Sequence, residues 1–164
     1  MFDIFDDELK QMFDEDKGED KQKLNIAISL NDPIKKLPKN RFISVQDNTP
    51  LDEVIDKLQQ YSTGCVLLEN NDKISGIFTE RDAMKKILGR RLDLEKEVIS
   101  KYMTKAPECL HWEDPISFAL NKMVSGGYRH VPIIDEKNNP LGVISMQNII
   151  HHLGDFFFDE IVNL

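Results

Sequence analysis

Two stretches of this 164-residue chain carry residue types that can hold a polyhydroxy or anionic ligand. The first is Gly76-Ile77-Phe78-Thr79-Glu80-Arg81-Asp82. A glycine enters a short apolar run, then a hydroxyl residue followed three positions later by a carboxylate opens a helix. Thr79 has the type of a helix N-cap, with Asp82 in the first turn. Such a turn presents backbone N–H groups and the positive end of the helix dipole, which suits a phosphate. Capping alone also accounts for the pair, with no ligand involved. The second stretch, Gly142-Val143-Ile144-Ser145-Met146-Gln147-Asn148, repeats the order with Ser for Thr and Asn for Asp. Asp82, if ionised, can accept from two hydroxyls of a ligand, whereas Asn148 offers one carbonyl oxygen beside a competing NH₂. Arg81 adds a cation to the first stretch where the second has Gln147.

The elements that must position these residues also occur twice. At a constant offset of 65, Ile34 falls on Ile99, Val45 on Leu110, Pro50 on Pro115, Leu58 on Met123 and Val66 on Val131. One residue inserted near Asn138 makes the offset 66, so Gly76 falls on Gly142, Thr79 on Ser145 and Asp82 on Asn148. An internal repeat of this length fixes the reading of the whole fold. Each copy begins with an extended stretch, Phe42 to Val45 or Glu108 to Leu110. A helix starts at Thr49-Pro50 or Asp114-Pro115, with proline expected at the first helical position. Leu51, Val54, Ile55 and Leu58, or Ile116, Ala119, Leu120 and Met123, follow at helical spacing. Then come a buried strand (Cys65 to Leu68; His130 to Ile134), a polar turn, the glycine strand and a second helix. The order is β-α-β-β-α, and the fold class is α/β.

With the G-h-x-T/S-x-x-D/N signature closing each unit, the chain resembles a tandem pair of CBS domains, the arrangement called a Bateman module. The resemblance covers roughly Ile34 to Leu153. It implies two pseudo-symmetric units packed sheet to sheet, with clefts between them that bind adenosyl compounds in many members. It also implies that basic residues ahead of the central strand hold ligand phosphates. Those positions are Gly64-Cys65 in the first copy and Arg129-His130 in the second. Gly64 permits close approach of a ligand or a backbone. Arg129 presents a fork of donors and His130 a donor near neutral pH. A surface salt bridge and a core histidine are the plainer roles for these two. The expectation is therefore an unequal pair of clefts. The stronger uses Thr79, Arg81 and Asp82, with Arg129 and His130 supplied across the pseudo-dyad. The weaker uses Ser145 and Asn148 with Gly64 and Cys65, and lacks obvious phosphate donors.

Composition narrows the partners. A net charge of −8 disfavours a nucleic-acid backbone. No apolar run approaches a membrane span of about 20 residues. The start, Met1-Phe2-Asp3-Ile4, has no basic n-region. Cys65 and Cys109 make no disulfide framework and read as reduced thiols, and the expected location is cytoplasmic. His151 and His152 are adjacent on a helix and diverge, so no metal site is expected.

Four segments follow. Residues 1–33 form an acidic lead, in which Phe2, Phe5, Leu9 and Met12 make one face of a short helix. That face suits packing on the protein itself or docking on another protein. Within it, Leu24, Ile26, Ile28 and Leu30 alternate and suggest a short strand. The repeats occupy 34–98 and 99–153, with Gly89 as helix C-cap in the first. The tail 154–164 contains Phe156-Phe157-Phe158 and needs cover, from its own domain or from a neighbouring subunit. It resembles the tails of small stand-alone bacterial CBS proteins, and a homodimer is expected. The favoured function is binding of AMP, ADP or ATP by a regulatory module, with no cofactor and no catalysis. The alternative is an interaction protein that docks on an enzyme or transporter with its clefts empty.

Overall fold

The structure, a computed structural model, describes residue 27, residues 29–38 and residues 41–162. The apolar face formed by Phe2, Phe5, Leu9 and Met12 lies outside the described residues. Two copies of one unit are present. In the first, β1 (Ser44–Gln46), α1 (Leu51–Gln60), β2 (Cys65–Asn70), β3 (Lys73–Thr79) and α2 (Glu80–Lys86) follow in order. A short β4 (Thr104–Lys105) precedes α3 (Ile116–Gly126), β5 (His130–Ile134), β6 (Pro140–Ser145) and α4 (Met146–Val162).

The first sheet has the order β1-β2-β3-β4. β1 runs parallel to β2, and β2, β3 and β4 are antiparallel neighbours. β5 and β6 repeat the β2–β3 hairpin, and Leu110 bridges Ile133 in parallel where β1 bridges β2. Both hairpins carry a register shift at the same place, Leu68/Glu69 and Ile133/Ile134. The inserted residue sits in the longer turn of the second hairpin, where Asn138 takes a positive φ of 64° and Asp135 holds the backbone N–H groups of Lys137 and Asn139.

Leu51, Val54 and Leu58 of α1 are buried against Val66, Leu68 and Phe78. Ile116, Ala119 and Met123 of α3 are buried against Val131, Ile133 and Ile144. These are the positions that helical spacing selects. A third cluster of Cys65, Leu67 and Ile77, with Phe42, Ile74 and Val143 against it, joins strands of both units.

The lead-in segments are exchanged. Ile34 and Leu37 are buried in the core of the second unit, and Ile99 in the core of the first. The backbone bonds come in matched pairs. Ile34 N donates to Asp114 O at 2.9 Å and Ile99 N to Thr49 O at 3.0 Å. Ile116 N donates to Asp32 O at 2.9 Å and Leu51 N to Glu97 O at 2.8 Å. Packing thus assigns Ile34 to Leu37 to the unit opposite the one that sequence order suggests.

Four local expectations change. Ala27, Ser29, Leu30 and Asn31 are helical rather than extended, and Leu30 packs on the second core. Alternation over so short a run also satisfies a helix at i and i+4, and tertiary packing selects between them. Pro50 and Pro115 are N-caps with extended ψ of 148° and 146°, one residue before the first helical position. Ile87, not Gly89, caps α2, and Gly89 takes φ +78° in the turn beyond. The tail begins as a continuation of α4, which runs past residue 153 through Gly154 to Val162.

Candidate functional site

Thr79 closes β3 and opens α2 through a complete capping box. Asp82 N donates to Thr79 Oγ1 at 3.2 Å, and Thr79 N and Oγ1 donate to Asp82 Oδ2 at 3.1 and 2.8 Å. Asp82 Oδ1 pairs with Lys86 Nζ at 2.8 Å. The second copy is built the same way. Ser145 N and Oγ donate to Asn148 Oδ1, both at 2.7 Å, and Asn148 N donates to Ser145 Oγ at 3.3 Å. Asn148 Nδ2 reaches Pro38 O at 3.4 Å. Both Oδ1 lone pairs of Asn148 are thus in use, and Ser145 Oγ keeps one acceptor position. Asp82 retains acceptor capacity on Oδ1. Both signatures are structural caps first, and their ligand chemistry is what remains.

Three clefts surround these turns. The first, about 310 Å³, is lined by Thr79, Arg81, Asp82, Tyr128, His130 and the Thr104 to Glu108 segment. The second, about 360 Å³, is lined by Ser145, Gln147, Asn148, Gly64, Cys65 and His130, with Arg41, Phe42 and Tyr61 on its other walls. The two correspond position by position: Ile77 with Val143, Thr79 with Ser145, Arg81 with Gln147, Ala106 with Arg41 and Tyr128 with Thr63. Each joins the helix-opening turn of one unit to the central-strand start of the other. A third, central cleft of about 580 Å³ contains Glu80, Arg129, His130, Ser62, Gly64, Ser145 and Gln147. These volumes lie in or near the range of about 300–1,000 Å³ typical of small-molecule sites.

The expected residues are therefore distributed unevenly. Thr79, Arg81, Asp82 and His130 share the first cleft, but Arg129 does not line it. Arg129 lines the central cleft, which shares Ser62, Gly64, His130, Ser145 and Gln147 with the second. The second cleft does not lack a cation, because Arg41 lines it. Arg41 and Glu80 are the residues that sequence reasoning missed. The signal for Arg41 was present in the offset of 65, which sets it opposite Ala106 and so at a cleft wall.

His130 lines all three clefts. Its imidazole lies against Gly64, where a Cβ would sit 2.9 Å from Cε1 and Nε2. The close approach that Gly64 permits is therefore that of a side chain from the other unit. Burial holds the His130 pKa below its ordinary value, against the opposing pull of Glu80 and with a further push from Arg129. The shift favours the neutral ring. Burial pushes the Cys65 thiol up to about 12, with Glu80 adding to the effect. It lines the second cleft as a neutral wall and not as a nucleophile. In the first cleft, Arg81 Nη1 donates to Gly127 O across the units. Glu108 accepts from Lys122 Nζ at 2.7 Å and from Tyr128 Oη at 3.0 Å, and these bonds hold its carboxyl below the usual range.

Trp112 lies against Gly142, where a Cβ would meet Cζ2 at 3.1 Å, and it packs on the second core. Among the described residues no group of His, Cys, Asp or Glu is placed to hold a metal ion, and no helix is long and apolar enough to cross a membrane.

Known proteins of the same build can be set beside this geometry. CBSCBSPB5 of Arabidopsis thaliana, a CBS domain-containing protein, is 33% identical over 103 residues, covering 62% of this chain and 19% of that protein. This chain thus spans only about a fifth of that plant relative. The CBS domain protein PAE2072 from Pyrobaculum aerophilum, solved in complex with AMP, superposes with a TM-score of 0.66 at 23% identity, covering 75% of this chain and 98% of that one. The CBS domain pair of MJ0100, solved with 5′-methylthioadenosine and S-adenosyl-L-methionine, gives 0.67 at 20% identity, covering 75% and 96%. At these identities the likeness carries the fold. The CBS domain family matches residues 34–89 and again 98–155, and the chain belongs to that family as a tandem pair.

Proposed function

We propose that this protein is a regulatory module that binds an adenine nucleotide, AMP or a close relative, without turning it over. One observation carries the reading: two clefts built from equivalent positions, each closed by both units, each holding an arginine and a capped hydroxyl turn. PAE2072 with AMP and MJ0100 with its adenosyl ligands lend support as folds of the same kind. The second cleft is the better seat for a phosphate-bearing ligand. Phe42 and Tyr61 offer aromatic faces for the base, Ser145 Oγ an acceptor for ribose, and the shared wall leads the tail toward Arg129. The first cleft has Glu108 on its wall, and its arginine is held by a carbonyl. This order reverses the one that the signature residues alone suggest.

A thermal-shift screen tests the reading. A ligand at about 100 times its Kd adds roughly 2.7 kcal/mol. At about 2–4 °C per kcal/mol, melting rises by roughly 5–11 °C. No shift with AMP, ADP, ATP or S-adenosylmethionine at millimolar concentration leaves the second reading, an interaction protein with empty clefts. That reading is favoured by the exposed Met84 of α2, Leu88 in the turn beyond it and Ile150 of α4, apolar surface that also suits a second copy of the chain.

A further inference from the structure

We propose that Glu80 sets the length of the ligand's phosphate tail: one phosphate sits beside Arg129, and a second or third is repelled by the Glu80 carboxylate in the same cleft. The inference rests on the adenine-nucleotide reading above and names the ligand within it. A nucleoside in the second cleft has one shared wall to pass, formed by Ser62, Gly64, His130, Ser145 and Gln147. Beyond that wall lies the central cleft, with Arg129 and Glu80 both on its lining. Glu80 Oε2 lies 3.9 Å from the Gly64 Cβ position that the His130 ring faces, and Arg129 directly precedes His130 in the chain, so both residues flank the ring that joins the two spaces.

The charges are left for a ligand. Among the described residues no ion pair includes Glu80 or Arg129, while Asp82, Glu97 and Glu108 each have a lysine. Burial disfavours a further positive charge on His130. The pseudo-twofold mates are uncharged. Glu80 N donates to Gly64 O at 3.2 Å as Met146 N donates to Arg129 O at 2.9 Å, so Glu80 corresponds to Met146 and Arg129 to Gly64. The central cleft therefore holds one cation and one anion. Arg129 offsets part of the charge of a monophosphate, about −1.5 to −2 at pH 7, and each further phosphate adds a charge that meets Glu80 with no new cation to offset it.

The test is calorimetric titration of adenosine, AMP, ADP and ATP with EDTA present, into the wild type, Glu80→Gln and Arg129→Gln. A pair of unit charges about 4 Å apart in water-like surroundings changes affinity by about fivefold. The wild type is expected to bind AMP more tightly than ADP, and ADP more tightly than ATP. Glu80→Gln is expected to raise ATP affinity more than AMP affinity, narrowing the gap by roughly fivefold or more, with adenosine unmoved. Arg129→Gln should weaken AMP and leave adenosine alone. Raising the salt should narrow the AMP–ATP gap of the wild type itself, a readout that needs no variant. An AMP-to-ATP ratio unchanged in Glu80→Gln, or wild type that prefers ATP, overturns the inference while nucleotide binding stands. Binding of none of the four overturns the functional reading, and this inference with it.

Discussion

Asn148→Ala separates capping from ligand binding more sharply than any other single change. The side chain is 5% exposed and accepts two bonds of 2.7 Å, from Ser145 N and Ser145 Oγ. Its third bond, to Pro38 O, is long at 3.4 Å and ties α4 to the exchanged lead-in. Truncation leaves the Ser145 Oγ cap on residue 148 N in place but removes the reciprocal half of the box, bonds worth about 0.5–1.5 kcal/mol each. It also leaves the part-buried Ser145 N–H without its acceptor, a penalty of about 1–3 kcal/mol. The two terms overlap, and the net loss expected is roughly 2–3 kcal/mol. Melting should fall by about 4–12 °C, taking about 2–4 °C per kcal/mol. Equilibrium urea denaturation, with the slope compared between proteins, reads the loss directly. Asn148→Asp keeps both acceptor bonds, as Asp82 does in the first unit, and should cost less than half as much. A loss under about 0.5 kcal/mol for Asn148→Ala, or equal losses for the two variants, refutes the capping account.

Gly64→Ala places a Cβ 2.9 Å from the His130 ring and forces it to turn. The off-rotamer cost of about 0.5–1.5 kcal/mol is opposed by about 0.4–1 kcal/mol from a stiffer unfolded chain, so stability should change little. AMP affinity should nevertheless fall clearly by calorimetry, because the displaced ring lines all three clefts; unchanged affinity would show that the wall does not matter. His130 also makes a pH signature. Its folded pKa lies below the ordinary 6.5, so the unfolded chain binds the extra proton and stability rises with pH through the interval between the two values. Urea titrations of the wild type and His130→Asn across pH 5 to 7.5 measure this; parallel pH profiles for the two proteins would contradict it.

The repeat made most of the fold legible. Buried positions at spacing three and four and a proline before each helix recur at offset 65, the glycine strand and its cap at 66, and two imperfect copies vouch for each other. The lead-in could not be read the same way. Ile34 aligns with Ile99 in either arrangement, and nothing in the pattern says which core each one enters. The helix around Ala27 to Asn31 was obscured because a short apolar alternation fits both periods. Site residues were legible where a hydroxyl and a carboxylate had to meet across one turn, as in Thr79 and Asp82. They were not legible where walls came from distant segments. Arg129 and Thr79 stand 50 positions apart in sequence, and only the fold decides that they line different clefts.

The backbone symmetry and the charge symmetry of this molecule come apart, and the clefts carry the difference. Main-chain bonds recur at the offset of the repeat, 65 before the inserted residue and 66 after it, from the Ile34 and Ile99 pairing to the Glu80 and Met146 pairing. Such bonds are blind to side-chain type, so the two units can keep one shape while their surfaces diverge. Arg41 stands opposite Ala106, Arg81 opposite Gln147, Arg129 opposite Gly64 and Glu80 opposite Met146. Every charged member of these pairs lines a cleft, and every partner is neutral. The first two pairs compensate, so each outer cleft keeps one arginine, on different walls. The last two do not, and they give the central cleft its one cation and one anion. A ligand with twofold symmetry would meet matched walls but unmatched charges. On the proposed reading, the phosphate of a nucleotide in the second cleft falls toward Arg129, and the position equivalent to Arg129 is the uncharged Gly64.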